Sequence, residues 1–303
     1  MHIAVFTKNL TNPAYLAARL GADRAAAQFG ARTTHYVPSV PDDIAEQIEL
    51  IDQMLAGPLP DAVVMSPVHS TAIDEALGRI HARGLPIVGL VTPIEAVPVV
   101  SFVNSDDFSL AYAIAKRLFE HLQGQGEVLM VTGHVGSYTS MERVKGFEAA
   151  QQEFAGIRFV DRIAGDYVKN IAFQRSAAWL QQHSEQKIDA CLVANDIMAV
   201  GVIDALHQAQ RKAPVVGVNA IPEAITAIQA GQLLATADFN AMRMAYLAAE
   251  AAARYLQGET VPARIELPVD IVDRHNCHLW DMPYDQRSVL TLSQWRSLAA
   301  EKV

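Results

Sequence analysis

The sequence of 303 residues has only two cysteines, no apolar run long enough to cross a membrane and no block of consecutive basic residues. Cys191 stands in an apolar segment and Cys277 in a polar tail, so a disulfide between them is not expected. A membrane span needs about 20 apolar residues in succession. The formal net charge of −9 argues against a surface that neutralises nucleic-acid phosphates. The sequence therefore predicts no nucleic-acid partner and no membrane span.

The sequence motifs of catalysis are also missing. A dinucleotide-binding turn needs several glycines so that the backbone can approach the pyrophosphate, but the turn at 7–12 has none. Gly133 and Gly136 have no third glycine in register, and neither a P-loop nor a Gly-x-Ser-x-Gly nucleophile elbow occurs. The close pair His275 and His278 matches no standard zinc-site spacing. We therefore predict that the protein is not an enzyme, with no catalytic residue, no metal and no cofactor.

What the sequence does contain is a strand–turn–helix pattern that is repeated in both halves. Short apolar segments at 3–6, 61–67, 127–132 and 189–195 each lead through a polar turn into a helical stretch. Strands that alternate with helices indicate parallel sheets covered by helices on both faces. Two halves of similar size indicate two domains with a cleft between them. The predicted fold class is therefore α/β, with two doubly wound parallel-sheet lobes.

The end of the chain is predicted to be less regular. Residues 265–272 form the last predicted strand, and residues 273–303 form a long tail. A short helix over 293–301, with Ser293 at its N-cap, is predicted within this tail.

Polar and aromatic residues follow the ends of the predicted strands. In open parallel sheets, ligands bind beyond the carboxyl ends of the strands. Asparagine offers both a donor and an acceptor, and arginine offers a planar fork of donors, so these residue types suit hydroxyl groups. The candidate ligand-binding residues are Lys8, Asn12, Tyr15, Ser66, Thr92, His134, Arg143, Tyr167, Asn195, Asn219 and Asp238.

Structural explanations compete with ligand binding at several strand ends. Asn195 and Asp196 are placed to cap the helix predicted at 197–211. Lys8 fits a solvated surface lysine as well as a ligand contact, and Tyr15 fits a core position beside the apolar face of its helix. His69 fits the start of a helix better than a ligand contact. Both interpretations remain open at these positions.

The order and spacing of seven motifs resemble those of a known family. The motifs are Asn12-Pro-Ala-Tyr15, Ala62-Val-Val-Met-Ser-Pro67, Gly84-Leu-Pro-Ile-Val88, Val103-Asn-Ser-Asp106, Glu142-Arg-Val-Lys-Gly-Phe147, Ala194-Asn-Asp-Ile-Met-Ala-Val-Gly201 and Val215-Val-Gly-Val-Asn219. Over roughly 1–270 the chain resembles the periplasmic sugar-binding proteins of the ribose-binding type. These proteins share their fold with the effector domains of lactose-repressor-type regulators.

The resemblance implies how the chain is divided. The chain of such proteins crosses three times between the lobes, here near Asn104, Asp238 and Pro268. The implied N-terminal lobe comprises 1–104 and 239–267. The implied C-terminal lobe comprises 105–238 and 268–303, including the long tail. The repeated strand–helix pattern with polar strand ends also predicts that the two lobes close about a hinge on one ligand.

The resemblance further implies which residues contact a sugar. The implied contacts are Asn12, Tyr15, Arg143, Tyr167, Asn195 and Asn219, with one tyrosine from each lobe covering apolar ligand surface. For Arg143 the alternative is a surface ion pair with Glu142 or another neighbour.

Two departures from the ribose-type pattern argue against ribose itself. The sequence 90–92 is Leu-Val-Thr where the ribose-type proteins have Asp-Arg, and Asn219 stands where they have Asp. Lys8, His134 and Arg143 leave a sugar acid or a phosphorylated ligand open.

Two functions are compatible with this sequence. The leading hypothesis is a monomeric solute-binding protein in the periplasm, its signal peptide removed, that captures a sugar, polyol or related small molecule for an ABC-transporter permease. The alternative is a cytoplasmic effector-binding domain of a lactose-repressor-type regulator, or a sugar sensor. Such regulators carry a helix-turn-helix before the fold. Because this sequence starts at the first strand, we expect no such module, and the alternative takes the form of a truncated effector domain.

Overall fold

The computed structural model describes residues 1–300, so the last three residues of the predicted tail and the end of its predicted helix lie outside the described residues. The chain forms two compact units. The first comprises Met1–Ser105, Asn240–Leu267 and the segment that begins at Tyr284. The second comprises Asp106–Phe239 and Pro268–Pro283.

Strands and helices alternate along most of the chain. The strands are β1 (His2–Phe6), β2 (Arg32–Tyr36), β3 (Ala62–Met65), β4 (Ile87–Leu90), β5 (Ser101–Ser105), β6 (Gln125–Thr132), β7 (Gly156–Ala164), β8 (Ala190–Val193), β9 (Val215–Val218), β10 (Ala235–Asp238), β11 (Arg264–Leu267) and β12 (Asp270–Asp273). The helices are α1 (Pro13–Gln28), α2 (Ile44–Ala56), α3 (Asp74–Ala82), α4 (Asp107–His121), α5 (Tyr138–Gln152), α6 (Lys169–Gln182), α7 (Asp196–Gln208), α8 (Pro222–Gln229), α9 (Ala241–Leu256) and α10 (Leu292–Ala300).

Each unit is built on one six-stranded sheet. The first sheet has the order β11-β5-β4-β3-β1-β2, and all its neighbouring strands are parallel. The second has the order β12-β10-β9-β8-β6-β7, and its strands are parallel except for β12, which pairs antiparallel with β10. The predicted fold class of two α/β lobes with parallel-dominated sheets is confirmed. The carboxyl ends of the parallel strands form one edge in each sheet, called here the first and the second carboxyl edge.

The central strands are short, apolar and buried on both faces. All residues of β3, β4, β8 and β9 are buried, as expected for strands of a parallel sheet that is covered by helices. Helix α9 is rich in alanine and packs closely on α1. A Cβ atom at Gly21 of α1 would lie 2.1 Å from the backbone oxygen of Met242, so only glycine allows this approach. Among residues 1–300, no helix is both long and apolar enough to span a bilayer.

The structure corrects two predictions about the end of the chain. The single strand predicted at 265–272 is wrong, because β11 ends at Leu267 and β12 begins at Asp270 in the other sheet. Pro268 lies between the two strands and has no N–H to continue a ladder. The tail, predicted as part of the C-terminal lobe, is divided at Pro283, and its segment from Tyr284 belongs to the first unit.

Named contacts hold this segment in the first unit. The guanidinium of Arg24 on α1 donates to the backbone oxygen of Arg287 at 2.9 Å. The backbone N–H of Leu292 donates to Glu250 Oε2 on α9 at 2.8 Å. The predicted short helix is present as α10, but it begins at Leu292, so Ser293 lies within the helix and the prediction that it is the N-cap is wrong. Composition could not place the segment, because its docking depends on partners more than 40 residues away, on α1 and α9.

Candidate functional site

The turn after β1 brings three candidate residues to the first carboxyl edge. Lys8, Asn12 and Tyr15 are all buried, so Lys8 is not a solvated surface lysine. Asn12 is the N-cap of α1, since its Oδ1 accepts the N–H of Ala14 at 3.0 Å. Its own backbone N–H donates to Asn9 Oδ1 at 2.9 Å. These bonds fix the turn and direct its polar groups to the edge.

Two buried hydroxyls lie at the same edge. Ser66 directly follows β3 and Thr92 closely follows β4, and both are buried. Neither hydroxyl oxygen has a hydrogen-bond partner among the described residues. Val91, between β4 and Thr92, has a φ of 68°, which is unusual and strained for a β-branched residue. Buried polar groups are usually satisfied, so these two hydroxyls point to a ligand or water at this edge.

Two polar residues of β5 belong to this edge and were missed from the sequence. Asn104 and Ser105 end the strand beside β4, and both are buried. Within residues 1–300, Asn104 Oδ1 and Ser105 Oγ have no hydrogen-bond partner. The rule that found Ser66 and Thr92, a polar residue at the end of an apolar strand, applies to both. In the sequence, Asn104 marks a predicted crossing between the lobes and Ser105 belongs to one of the motifs of the family resemblance.

Arg143 is the centre of the second carboxyl edge. It lies in the second turn of α5 and is 2% exposed. Its Nε donates to Asp107 Oδ1 at 2.8 Å, and its Nη1 donates to the backbone oxygen of Ala194 at 2.5 Å. Its Nη2 lies 3.5 Å from Asn219 Oδ1, and its Cζ lies 5.1 Å from the ring centre of Phe239. The alternative of a surface ion pair with Glu142 therefore does not hold.

Asn195 and Asn219 flank Arg143 at the ends of neighbouring strands. Asn195 Oδ1 caps α7 by accepting the N–H of Met198 at 3.0 Å, so the predicted capping role is real. Its Nδ2 is buried and has no partner in the described part of the chain. Asn219 has a φ of 129°, a strained backbone for a residue other than glycine, and its N–H donates to Ala237 O at 2.8 Å. Asn195 thus lies at the edge with its carboxamide oriented by the helix cap, and Asn219 lies there with its backbone held by Ala237.

A buried carboxyl group lies beneath these two residues. Asp196 accepts the hydroxyl of Thr236 at 2.7 Å and the backbone N–H of Ile221 at 3.1 Å. Burial raises the pKa of Asp196 to about 7, against the lowering effect of these hydrogen bonds and of Arg143. Its bond to Ile221 holds the turn that contains Asn219. Asp196 therefore has a structural role at this edge, in addition to its position at the start of α7.

Tyr167 packs on the turn after β6. Its φ is 59°, a left-handed conformation that is unusual for a residue other than glycine. A Cβ atom at Gly133 would lie 2.1 Å from Tyr167 Cζ, so the ring lies directly over this glycine. The phenol is buried, while His134, the next residue of the turn, is exposed. The structure thus brings Tyr167 to the second carboxyl edge and leaves His134 outside the buried group.

Asp238 ends β10 and is 8% exposed. Its Oδ2 accepts the indole N–H of Trp280 at 2.8 Å. Trp280 was not a candidate, since the tail around it has no repeating pattern. Asp107 was also not among the candidate residues. It is the first residue of α4, and its carboxylate accepts a hydrogen bond from Arg143.

Comparison with known families agrees with this architecture. Residues 3–260 match the family profile described as periplasmic binding protein domain. The chain therefore belongs to the family of periplasmic binding proteins.

Proteins whose ligands are named are similar to this chain in sequence or in structure. The xylitol-binding protein of Mycolicibacterium smegmatis is 22% identical over 67% of this chain, and the match covers 58% of that protein. The D-ribose/D-allose-binding protein of Pseudomonas aeruginosa is 26% identical over 89% of this chain and 88% of its own length. A solved ABC-transporter periplasmic solute-binding protein from Actinobacillus succinogenes, with bound D-allose, has a TM-score of 0.83 at 24% identity. That match covers 91% of this chain and 99% of the solved one.

Proposed function

We propose that this protein is a solute-binding protein that binds a neutral sugar or polyol and delivers it to the permease of an ABC transporter. The ligand contacts are assigned to the two carboxyl edges, at Lys8, Asn12, Tyr15, Ser66, Thr92, Arg143, Tyr167, Asn195, Asn219 and Asp238. The periplasm is the expected compartment, as it is for the family, and a monomer is the expected state.

The surroundings of Arg143 carry this proposal. Its guanidinium is buried, and its charge is balanced by the carboxylate of Asp107 at 2.8 Å. A guanidinium that already has a buried carboxylate partner is less available to a ligand carboxylate or phosphate, which would itself have to be desolvated. It still presents a rigid donor fork, which suits the oxygens of a polyol.

Uncharged groups at both edges support the same ligand class. Ser66, Thr92 and Asn195 have buried polar atoms without a partner within residues 1–300. A ligand with several hydroxyl groups can donate to and accept from such atoms, and each unmet group costs about 1–3 kcal/mol when buried. The named ligands of the relatives, xylitol, D-ribose and D-allose, are all polyhydroxylated and uncharged.

Calorimetry with a defined set of compounds tests the proposal. The protein is unfolded, dialysed and refolded to remove any copurified ligand, and is then titrated with pentoses, hexoses, pentitols, inositols, sugar acids and sugar phosphates. We expect binding of at least one neutral compound. Tighter binding of a sugar acid or phosphate than of every neutral compound would contradict the neutral class, and no binding of any compound would contradict the proposal as a whole.

An arginine variant tests the site. Arg143→Lys keeps a positive charge for Asp107 but loses the fork, and it should weaken binding at least about tenfold, since a bond to a charged group contributes about 1.5–3 kcal/mol. Arg162→Lys is the matched control, because Arg162 is exposed and pairs with Glu148 in the same unit. Equal affinities of the two variants would remove Arg143 from the site.

A further inference from the structure

The indole of Trp280 holds the carboxylate of Asp238, and the two residues lie 42 positions apart. Asp238 stands at the carboxyl end of β10, next to the end of β9, and Asn219 donates its N–H to the neighbouring residue Ala237. Asp238 thus places a carboxylate at the second carboxyl edge beside Asn219. Trp280 comes from the tail, 20 residues after the end of the family match at residue 260.

The backbone of the tail holds Trp280 in a defined position. Strand β12 runs antiparallel to β10, with Asp270 opposite Asp238. The chain then turns, and Asn276 closes the turn by accepting the N–H of Asp273 at 2.9 Å and donating to Ile271 O at 2.9 Å. One turn of 3-10 helix, Cys277–Leu279, follows.

The residues on both sides of Trp280 are also anchored. Trp280 donates its backbone N–H to Cys277 O at 2.9 Å, and Cys277 is buried. Gln229 of α8 donates to Asp281 Oδ2 at 2.8 Å. The indole therefore reaches Asp238 from a fixed point of the second unit, at 2.8 Å.

We propose that Trp280 is a positioning residue for ligand binding, which orients the Asp238 carboxylate so that it accepts ligand hydroxyl groups in one fixed direction. This inference rests on the proposed function. It assigns to the tail, outside the residues that match the family, a part in the affinity and the selectivity of the site.

The chemistry of the two groups explains why such a contact affects the ligand. A carboxylate makes strong, short hydrogen bonds to hydroxyl groups, and their strength depends on direction. The indole N–H is a donor only, and an ionised carboxylate has about four acceptor sites, so one carboxylate can accept both an indole N–H and ligand hydroxyl groups. A carboxylate that a rigid donor holds in one orientation distinguishes two sugar epimers, which differ in the direction of one hydroxyl group, better than a carboxylate without that donor does.

A tryptophan-to-phenylalanine change removes the donor and keeps an aromatic ring. We expect Trp280→Phe to weaken binding of the best neutral ligand about tenfold, the loss of one bond to a charged acceptor. We also expect it to reduce the ratio between the affinities for that ligand and for its epimers.

The second unit offers a matched control. Trp179 on α6 donates its indole N–H to Asp161 Oδ2 at 2.6 Å, in the middle of β7 and away from the carboxyl edge. Trp179→Phe therefore loses the same type of hydrogen bond. Its affinity for the best neutral ligand, and the ratio of that affinity to the affinities for the epimers, should remain those of the parent. Thermal unfolding of both variants reports the change in stability separately.

A double-mutant cycle tests whether Trp280 acts through Asp238. On an Asp238→Asn background, Trp280→Phe should cause little further loss of affinity, because the carboxylate that it orients is absent. If Trp280→Phe has the same effect on both backgrounds, or if it keeps the affinity and epimer ratio of the parent, the inference is overturned while the proposed function stands. If the parent binds no sugar or polyol, both fail.

Fluorescence provides a second measurement that does not need a Trp280 variant. The chain has three tryptophans, so replacing Trp179 and Trp295 by phenylalanine leaves the emission of Trp280 alone. We expect this emission to change when the best neutral ligand is added to saturation. Unchanged emission would overturn the inference even if Trp280→Phe does not fold.

Discussion

Arg143 and Asp107 form a buried ion pair across two helices of the second unit, with Nε 2.8 Å from Oδ1 and with side chains that are 2% and 0% exposed. The pair joins the second turn of α5 to the first residue of α4. Because the guanidinium also donates to Ala194 O, it links the two helices to the end of β8. This single side chain therefore connects three elements at the second carboxyl edge.

Asp107→Ala should destabilise the protein strongly. Removing one partner of a buried pair leaves the other charge uncompensated, which costs about 3–5 kcal/mol. The control is Asp204→Ala, which breaks an exposed pair with Lys169 in the same unit and should cost at most about 1 kcal/mol. Urea unfolding measures the free energy of unfolding of both variants. If Asp107→Ala lowers it no more than Asp204→Ala does, the ion pair of Asp107 with Arg143 does not stabilise the fold as expected.

Gly133→Ala should disturb Tyr167. The added methyl group would lie 2.1 Å from Tyr167 Cζ, so the ring has to move, at a cost of about 1–3 kcal/mol. We also expect weaker binding of the best neutral ligand by calorimetry. Gly78→Ala is the control, because a Cβ atom there meets nothing within 4 Å and alanine favours the helix by up to about 1 kcal/mol. Unchanged stability of Gly133→Ala would mean that the ring does not need this contact.

Asp196 should make stability depend on pH. Its pKa is raised by burial to about 7, whereas an unfolded chain releases this proton near the usual value of about 3.9. Between these values the folded state binds more protons, so the free energy of unfolding falls as the pH rises towards 7 and then stays low. Asp196→Asn removes this contribution.

Urea unfolding at about pH 5 and about pH 8 measures how much the free energy of unfolding of each protein changes between these pH values. The free energy of unfolding should fall less for Asp196→Asn than for the parent. Asp204→Asn, on the same helix but exposed, should behave like the parent. If the parent and Asp196→Asn lose the same free energy between the two pH values, Asp196 does not titrate in this range.

The docking of the tail on the first unit can be tested at Leu292. This side chain is 1% exposed, whereas Leu298 of the same helix is 47% exposed. Leu292→Ala should cost about 2 kcal/mol or more and should accelerate proteolysis of the segment after Pro283, because it removes buried apolar contacts. Leu298→Ala should change the free energy of unfolding by no more than about 0.5 kcal/mol. The segment after Pro283 should then be cleaved at the parental rate. Equal proteolysis of the two variants would contradict a docked tail.

Part of the site could be predicted from the sequence because parallel sheets impose a local rule. A polar residue just beyond an apolar strand lies at the carboxyl edge, and this rule placed Ser66, Thr92, Asn195 and Asn219 at an edge. It could not show what each side chain contacts. The sequence does not decide whether Asn195 caps a helix or faces a ligand. In the structure its Oδ1 caps α7, while its Nδ2 has no partner in the described residues.

The sequence alone determined the fold class, because the period of the hydrophobic pattern is a local property and alternating strands and helices have few compatible arrangements. Only the tertiary structure decided which charges pair and where the tail lies. Asp107 and Arg143 are 36 positions apart, and Asp238 and Trp280 are 42 apart. Such pairings depend on distances between elements that no local pattern encodes. The division of the tail between the two units has the same cause, since it follows from the surfaces on which its side chains and backbone find partners.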